Sequence, residues 1–240
     1  MKIVNILIVC IISFFITCQP QPLASTPLVM EEFDYRLSWL GLEVGSAKLQ
    51  ISRDDKAVKI FSQALSSEWV SKIYRVKNTL ESTIASDGYP VYHKLKLSQG
   101  KQRRDREVFF DKKAGTIKSI DKKNNKEHTY KPAKKYYDPL SGFHELRQRD
   151  IVVGVTEVIP IFDKEKFYEA YIEVLRKERI KTDYGHFDTV LIHPVLETGG
   201  FLVTKADVLI WLTDDKKKIP VKVRAKIKAG TVTAYLKGGY

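Results

Sequence analysis

Residues 138–147 read DPLSGFHELR and bring an Asp, a Ser, a His and an Arg within ten positions. Those residue types carry acyl and proton-transfer chemistry when a base sits beside a hydroxyl and an acid orients the base. Ser141 and His144 are three apart, so on a helix their side chains are neighbours. The same stretch also reads as a capped helix. The Asp138 carboxylate suits an N-cap, accepting from backbone N–H groups two or three residues on. Pro139 suits the first helical position, where a missing N–H costs nothing. Leu140, Phe143 and Leu146 then form one apolar stripe, Gly142 allows close approach to a strand, and Arg147 complements the helix dipole. With Asp138 used as the cap, no acid is left to orient His144. The expected role of Asp138, Pro139, Phe143 and Arg147 is therefore a structural motif over an open end or edge of the fold. A hydrolase using Ser141 and His144 stands third among the functions considered.

Other candidate chemistry is sparse. His93, His128, His144, His186 and His193 show neither H-x-x-x-H nor H-E-x-x-H spacing. His186 and Asp188 share a strand face and read as surface. Asp214 and Asp215 lie in a Lys-rich turn and read as solvated. The chain has no G-x-S-x-G elbow and no Gly-rich phosphate loop followed by a helix. No metal, cofactor or catalytic residue is expected.

The elements that position these residues are mostly strands. FDYRLSW places Phe33, Tyr35, Leu37 and Trp39 on one face, and GSAKLQIS does the same with Ala47, Leu49 and Ile51. Similar alternation recurs to the C-terminus, separated by turns such as DG at 87–88, KKNNK at 122–126 and DDKKK at 214–218. SSEWVSKIY reads as one or two helical turns. About a dozen strands without βαβ alternation give an all-β class: a single curved antiparallel sheet forming a barrel or half-barrel, with one or two short helices.

The 240 residues carry a net charge of +12 and only two cysteines, Cys10 and Cys18. The N-terminus, MKIVNILIVCIISFFITCQPQPLAS, has one Lys, an apolar run and a polar breaker, the layout of a secretory signal. FITC, ending at Cys18, resembles a lipobox; ordinary cleavage within CQPQPLAS is the other route. The expected organisation is a signal peptide over 1–25, a linker over 26–32 and one β domain over 33–240. The protein is expected to be exported to the periplasm, either free or tethered to the outer membrane through Cys18.

Between Lys94 and Lys135 there are 15 Lys or Arg against 5 Asp or Glu. Such a surplus suits anionic lipid headgroups or another polyanion, with Arg103, Arg104 and Arg106 the candidate contacts. It also suits solvated hairpin faces. Nucleic acid is not an expected partner of an exported protein.

Four stretches in order, FDYRLSWLGLEVGSAKL at 33–49, DPLSGFHELR at 138–147, YGHFDTVLIHP at 184–194 and IWLTDDKKKIPVKVRAKIKAGTVTAYL at 210–236, resemble the exported bacterial proteins of domain-of-unknown-function family 3108. The resemblance implies an envelope-located, mostly antiparallel protein of unassigned activity and brings no catalytic residues. More distantly, WLTDDKKKIPVKV is similar to the late strand–turn–strand of periplasmic lipoprotein-carrier folds, which wrap a curved sheet around apolar cargo. The expected function is non-enzymatic binding of lipid or another apolar-anionic ligand, with Trp39, Trp69, Trp211 and Phe201 lining the concave side. The alternative is a structural or assembly factor without a cavity, binding envelope proteins or polyanionic polysaccharide.

Overall fold

The computed structural model describes residues 28–199, 201–202, 207–227 and 230–239. The expected signal peptide, with Cys18, lies outside the described residues. In chain order the elements are β1 (Leu28–Trp39), β2 (Leu42–Arg53), β3 (Ala57–Ser66), α1 (Glu68–Ser71), β4 (Val76–Ala85), β5 (Pro90–Gln99), β6 (Gln102–Asp111), β7 (Thr116–Asp121) and β8 (Lys126–Tyr130). They continue with α2 (Pro139–Arg147), β9 (Thr156–Asp163), β10 (Lys166–Thr182), β11 (Gly185–Thr198), β12 (Phe201–Leu202), β13 (Asp207–Thr213), β14 (Pro220–Ile227) and β15 (Gly230–Gly239). The expected linker over 26–32 is corrected from Leu28 onward. Glu31 and Glu32 pair with Ile51 and Gln50 of β2, so the ladder starts before the first aromatic of the alternation.

All strands join one antiparallel sheet in the order β8-β7-β6-β5-β4-β3-β2-β1-β15-β14-β13-β11-β10-β9, with β12 added beside β11. Hairpins make nearly every step; the pairing of β1 with β15 joins the two halves of the chain. No ladder joins β8 to β9, so the sheet is rolled but not closed by hydrogen bonds. It closes by overlap. Val108, Phe110 and Ile117, on the concave face of β6 and β7, pack on Phe162, which points away from the interior of β9. Tyr130 and Phe167 complete this aromatic seam, with ring centroids 5.2 Å (Tyr130–Phe162) and 5.1 Å (Phe162–Phe167) apart. The free edge of β9 is met by Tyr137, whose N–H and C=O bond Pro160 O and Phe162 N at 2.9 and 2.8 Å. An edge that would otherwise recruit another strand is thus covered.

Inside the roll, Phe33, Tyr35, Ile51, Ile60, Ile84, Ile159, Ile172 and Ile192 alternate inward and are buried. A β-bulge between Val174 and Arg176 turns the far half of the β10–β11 hairpin over the convex face. Its tip is held there by a two-point pairing of Asp183 with Arg36 of β1.

Candidate functional site

α2 crosses the interior at one end of the roll. Asp138 caps it, accepting from Leu140 N at 2.9 Å and Ser141 N at 3.2 Å, with Pro139 in the first turn. Gly142 sits directly against β9, where a Cβ would fall 2.4 Å from Ile161 Cδ1. The apolar stripe divides as the spacing requires. Leu140 joins the cluster of Ile51, Ile60 and Ile84, while Phe143 and Leu146 join that of β9, β10 and β11. Phe143 is only half-buried, because one side of its ring borders a space.

That space is a half-open groove of about 490 Å³ between α2 and the concave sheet. Its walls are almost wholly aliphatic, with Leu140 and Phe143 on the helix side and Ile172, Ile192, Ile210 and Val223 on the sheet side. Ala47 and Ala234 are small enough to leave the room. The groove runs from the helix towards Asp163 and Leu196, at the opposite ends of the strands.

Beside the apolar wall lies a polar hub centred on Asp138, which is fully buried. Its Oδ2 accepts from Ser82 Oγ at 2.7 Å and from Ser141 Oγ at 2.6 Å. His93 Nδ1 lies 3.2 Å from Oδ1, in ion-pair range, but the N–H is poorly aligned and leaves that nitrogen without a good hydrogen bond. Burial pushes the Asp138 carboxyl up, but His93 and the hydroxyls of Ser141 and Ser82 pull harder, holding it below its usual range. Both hydroxyls donate to the acid, whereas an acyl-transfer site needs a hydroxyl donating to an imidazole. The hub locks the start of α2 onto β4 and β5. His93 was visible in the sequence as a polar residue on the same strand face as Leu95; its partner, 45 positions away, was not.

Ser141 and His144 are not hydrogen-bonded to each other. His144 faces a second, more polar cavity of about 480 Å³ bordered by Arg53, Asp54, Ser86 and Gln148. Burial, with the charge of Arg147 next, pushes its imidazole pKa down, and Nδ1 has no partner. Arg147 does more than complement a dipole. It is buried, forms a two-point pair with Glu31 at 2.8 and 3.0 Å, and donates from Nε to the carbonyls of Lys217 and Lys218. It ties the helix end to β1 and to the β13–β14 turn.

The expected aromatic lining is corrected. Trp211 lies on the convex face, buried beneath the β10–β11 hairpin, with Nε1 donating to Glu178 and the Lys222 ammonium 4.4 Å from its ring centroid. Trp69 is exposed and donates to Glu43 O at 3.2 Å. Trp39 shares the inner face but lies against Gly230, away from the groove. The side chain of Phe201 lies outside the described residues. Aliphatic residues line the groove because the β10–β11 hairpin buries the largest aromatic from the other side.

The arginine trio is divided between two faces. Strand alternation puts Arg104 and Arg106 on one face and Arg103 on the other. Arg106 lies beside Asp121 and Glu165, and Arg103 turns back to the carbonyls of Gly100 and Gln102. Lys94, Lys112, Lys118, Lys122 and Lys134 are also in ion pairs, so the 94–135 segment is no single basic face.

The chain belongs to the family described as "Protein of unknown function (DUF3108)", whose model matches residues 34–237. No curated protein matches it. Among solved structures it is similar to a β-barrel-like protein of domain of unknown function DUF1849 from Brucella abortus, with a TM-score of 0.64 at 9% identity over 89% of this chain and 98% of that one. A protein with a YmcC-like fold from Bacteroides fragilis matches with a TM-score of 0.35 at 9% identity, over 88% and 95% of the two chains. The first of these likenesses shows the fold: a β-barrel-like roll.

Proposed function

We propose that this member of the DUF3108 family is a non-enzymatic exported protein of the bacterial envelope that binds a lipid, or another molecule with an apolar body and an anionic head, in the groove beneath α2. The carrying observation is the groove itself. Its volume of about 490 Å³ falls within the roughly 300–1,000 Å³ of small-molecule sites. Aliphatic walls without convergent polar groups suit an acyl chain, which needs burial and no directional bonds. A structural or assembly factor with a filled interior fits this space less well. A hydrolase using Ser141 and His144 fits the wiring of the Asp138 hub less well. Export is supported by the N-terminal sequence, and a tether through Cys18 by its lipobox-like context; Cys18→Ser would then abolish fatty-acid labelling and release the protein.

The test is native mass spectrometry of protein purified from its own envelope, beside uptake of a fluorescent fatty acid by ligand-stripped protein. Wild type should carry a lipid-sized adduct and take up the probe. Ala234→Phe, which fills the groove from β15, should lose both while keeping its circular dichroism spectrum. Wild-type protein with neither adduct nor uptake would overturn the reading.

A further inference from the structure

At the end of the roll opposite α2, three connections form one ledge. They are the β1–β2 turn, α1 with its flanks, and the β5–β6 turn. Ser67 N donates to Val44 O at 2.8 Å, Trp69 Nε1 to Glu43 O at 3.2 Å, and Gly100 N to Arg75 O at 2.9 Å. The Tyr74 ring lies over Gly100, where a Cβ would fall 2.5 Å from Cε2. The ledge is therefore held together by backbone and ring contacts, yet its large apolar side chains point outward. Leu40, Leu42, Trp69, Ile73 and Tyr74 are all exposed, Ile73 at 84% and Leu40 at 74%. α1 buries none of its residues.

Two features mark this exposure as more than scattered surface apolarity. Leu40 and Gly41 form a two-residue hairpin turn with φ of 49° and 82°. Such a turn favours Asn or Gly at both positions. A leucine in the left-handed region costs the turn energy, and at 74% exposure its side chain gains little burial in return. The second feature is charge. Lys72, Arg75, Lys101, Arg103 and Arg104 face only Glu43 and Glu68 along these segments, a net charge of +3. Lys72, Arg75, Lys101 and Arg104 form no ion pair with any described residue, in contrast to the paired lysines further along β5–β8.

We infer that this ledge docks the protein onto an anionic lipid bilayer. Leu40, Leu42, Trp69 and Ile73 enter the headgroup–acyl boundary, and Lys72, Arg75, Lys101 and Arg104 lie on lipid phosphates. Trp69 and Tyr74 sit at the level where aromatic rings favour a membrane interface. Docking on a second copy would bring two surfaces of charge +3 together, whereas an anionic bilayer complements them. The inference goes beyond the lipid-binding reading and does not depend on what the groove holds. It also aims the mouth of the roll that α2 leaves open at the membrane.

The experiment is co-sedimentation with vesicles of phosphatidylcholine alone and with phosphatidylglycerol added. Wild type should bind the mixed vesicles much more strongly, and less so as salt rises. Leu40→Glu combined with Ile73→Glu should weaken binding at least about tenfold, since both side chains leave the apolar boundary. Lys72→Gln, Lys101→Gln and Arg104→Gln together should weaken it about a hundredfold, at about fivefold per cation. Val152→Glu, at an exposed apolar position just past the C-terminal end of α2, should bind as wild type. All these sites are exposed, so thermal melts should be unchanged. The inference is overturned if the double variant binds like wild type, if Val152→Glu loses as much, or if phosphatidylglycerol makes no difference. It is equally overturned if sedimentation velocity shows a wild-type dimer that the double variant dissociates, with no vesicle binding. Fatty-acid uptake without vesicles separates the two readings. The double variant should keep uptake and lose docking, and Ala234→Phe the reverse.

Discussion

Replacing Asp138 with alanine tests whether the hub, rather than a simple helix cap, holds α2 in place. A bare N-cap is worth about 0.5–2 kcal/mol. Here the same carboxylate also takes the hydroxyls of Ser82 and Ser141, both buried. After Asp138→Ala, Ser141 Oγ keeps the backbone oxygen of residue 138 at 3.1 Å, but Ser82 Oγ is stranded. A buried donor left without a partner costs about 1–3 kcal/mol. Adding about 1 for the cap and a little for Ser141, and allowing for the recovered desolvation of the carboxylate, the expected loss is about 2–4 kcal/mol. Urea melts of Asp138→Ala, Ser82→Ala and the double variant should show coupling of at least about 1 kcal/mol between the two sites. The pH dependence supplies a second readout. A carboxyl whose folded pKa lies below its unfolded value of 3.8 contributes stability that is present above that value. That contribution is lost as pH falls through the folded value, so wild type should weaken steeply in strong acid and Asp138→Ala less so. A loss under about 2 kcal/mol, with additive Ser82→Ala and the same acid limb as wild type, would refute the hub.

Arg147→Ala should cost about 3 kcal/mol or more in the same melts, because it strands Glu31 and two turn carbonyls. Gly45→Ala should cost about 1–3 kcal/mol or prevent folding, since its Cβ would fall 2.0 Å from Leu65 O, a backbone atom that cannot turn aside. The His144 imidazole is held below its usual value of 6.5, so wild-type stability should be full above that pH and decline as pH falls towards the folded value. His144→Gln should flatten that decline, and melts across the acid range that show no difference would exclude it.

Much of the architecture was legible in the sequence because it is local. Strict alternation around Phe33, Tyr35 and Leu37, or Ala47, Leu49 and Ile51, needs only a strand with one wet face. The capped helix was equally legible: Asp138, Pro139 and the three-residue apolar stripe act within a few positions of one another. Alternation also announced that Trp211 and Ile210 face opposite ways. It could not say which face a bulged hairpin from residues 176–189 would cover, and so Trp211 was placed on the wrong side. The arginine trio is split for a related reason, since three basic residues close in a strand divide between two faces. What only the tertiary structure decided lies in contacts between distant segments. Ser82 meets Asp138 across 56 positions, and Glu31 meets Arg147 across 116. The seam of Phe110, Tyr130 and Phe162 depends on how far a fourteen-strand path coils before its ends overlap. Coiling accumulates from the small twist of every strand pair, and no single stretch of sequence encodes the sum. The groove is set by that same sum. Its walls are ordinary inward-facing aliphatics, and they enclose a space because α2, pinned at both ends by Asp138 and Arg147, stands across one end of the roll and leaves the other end open.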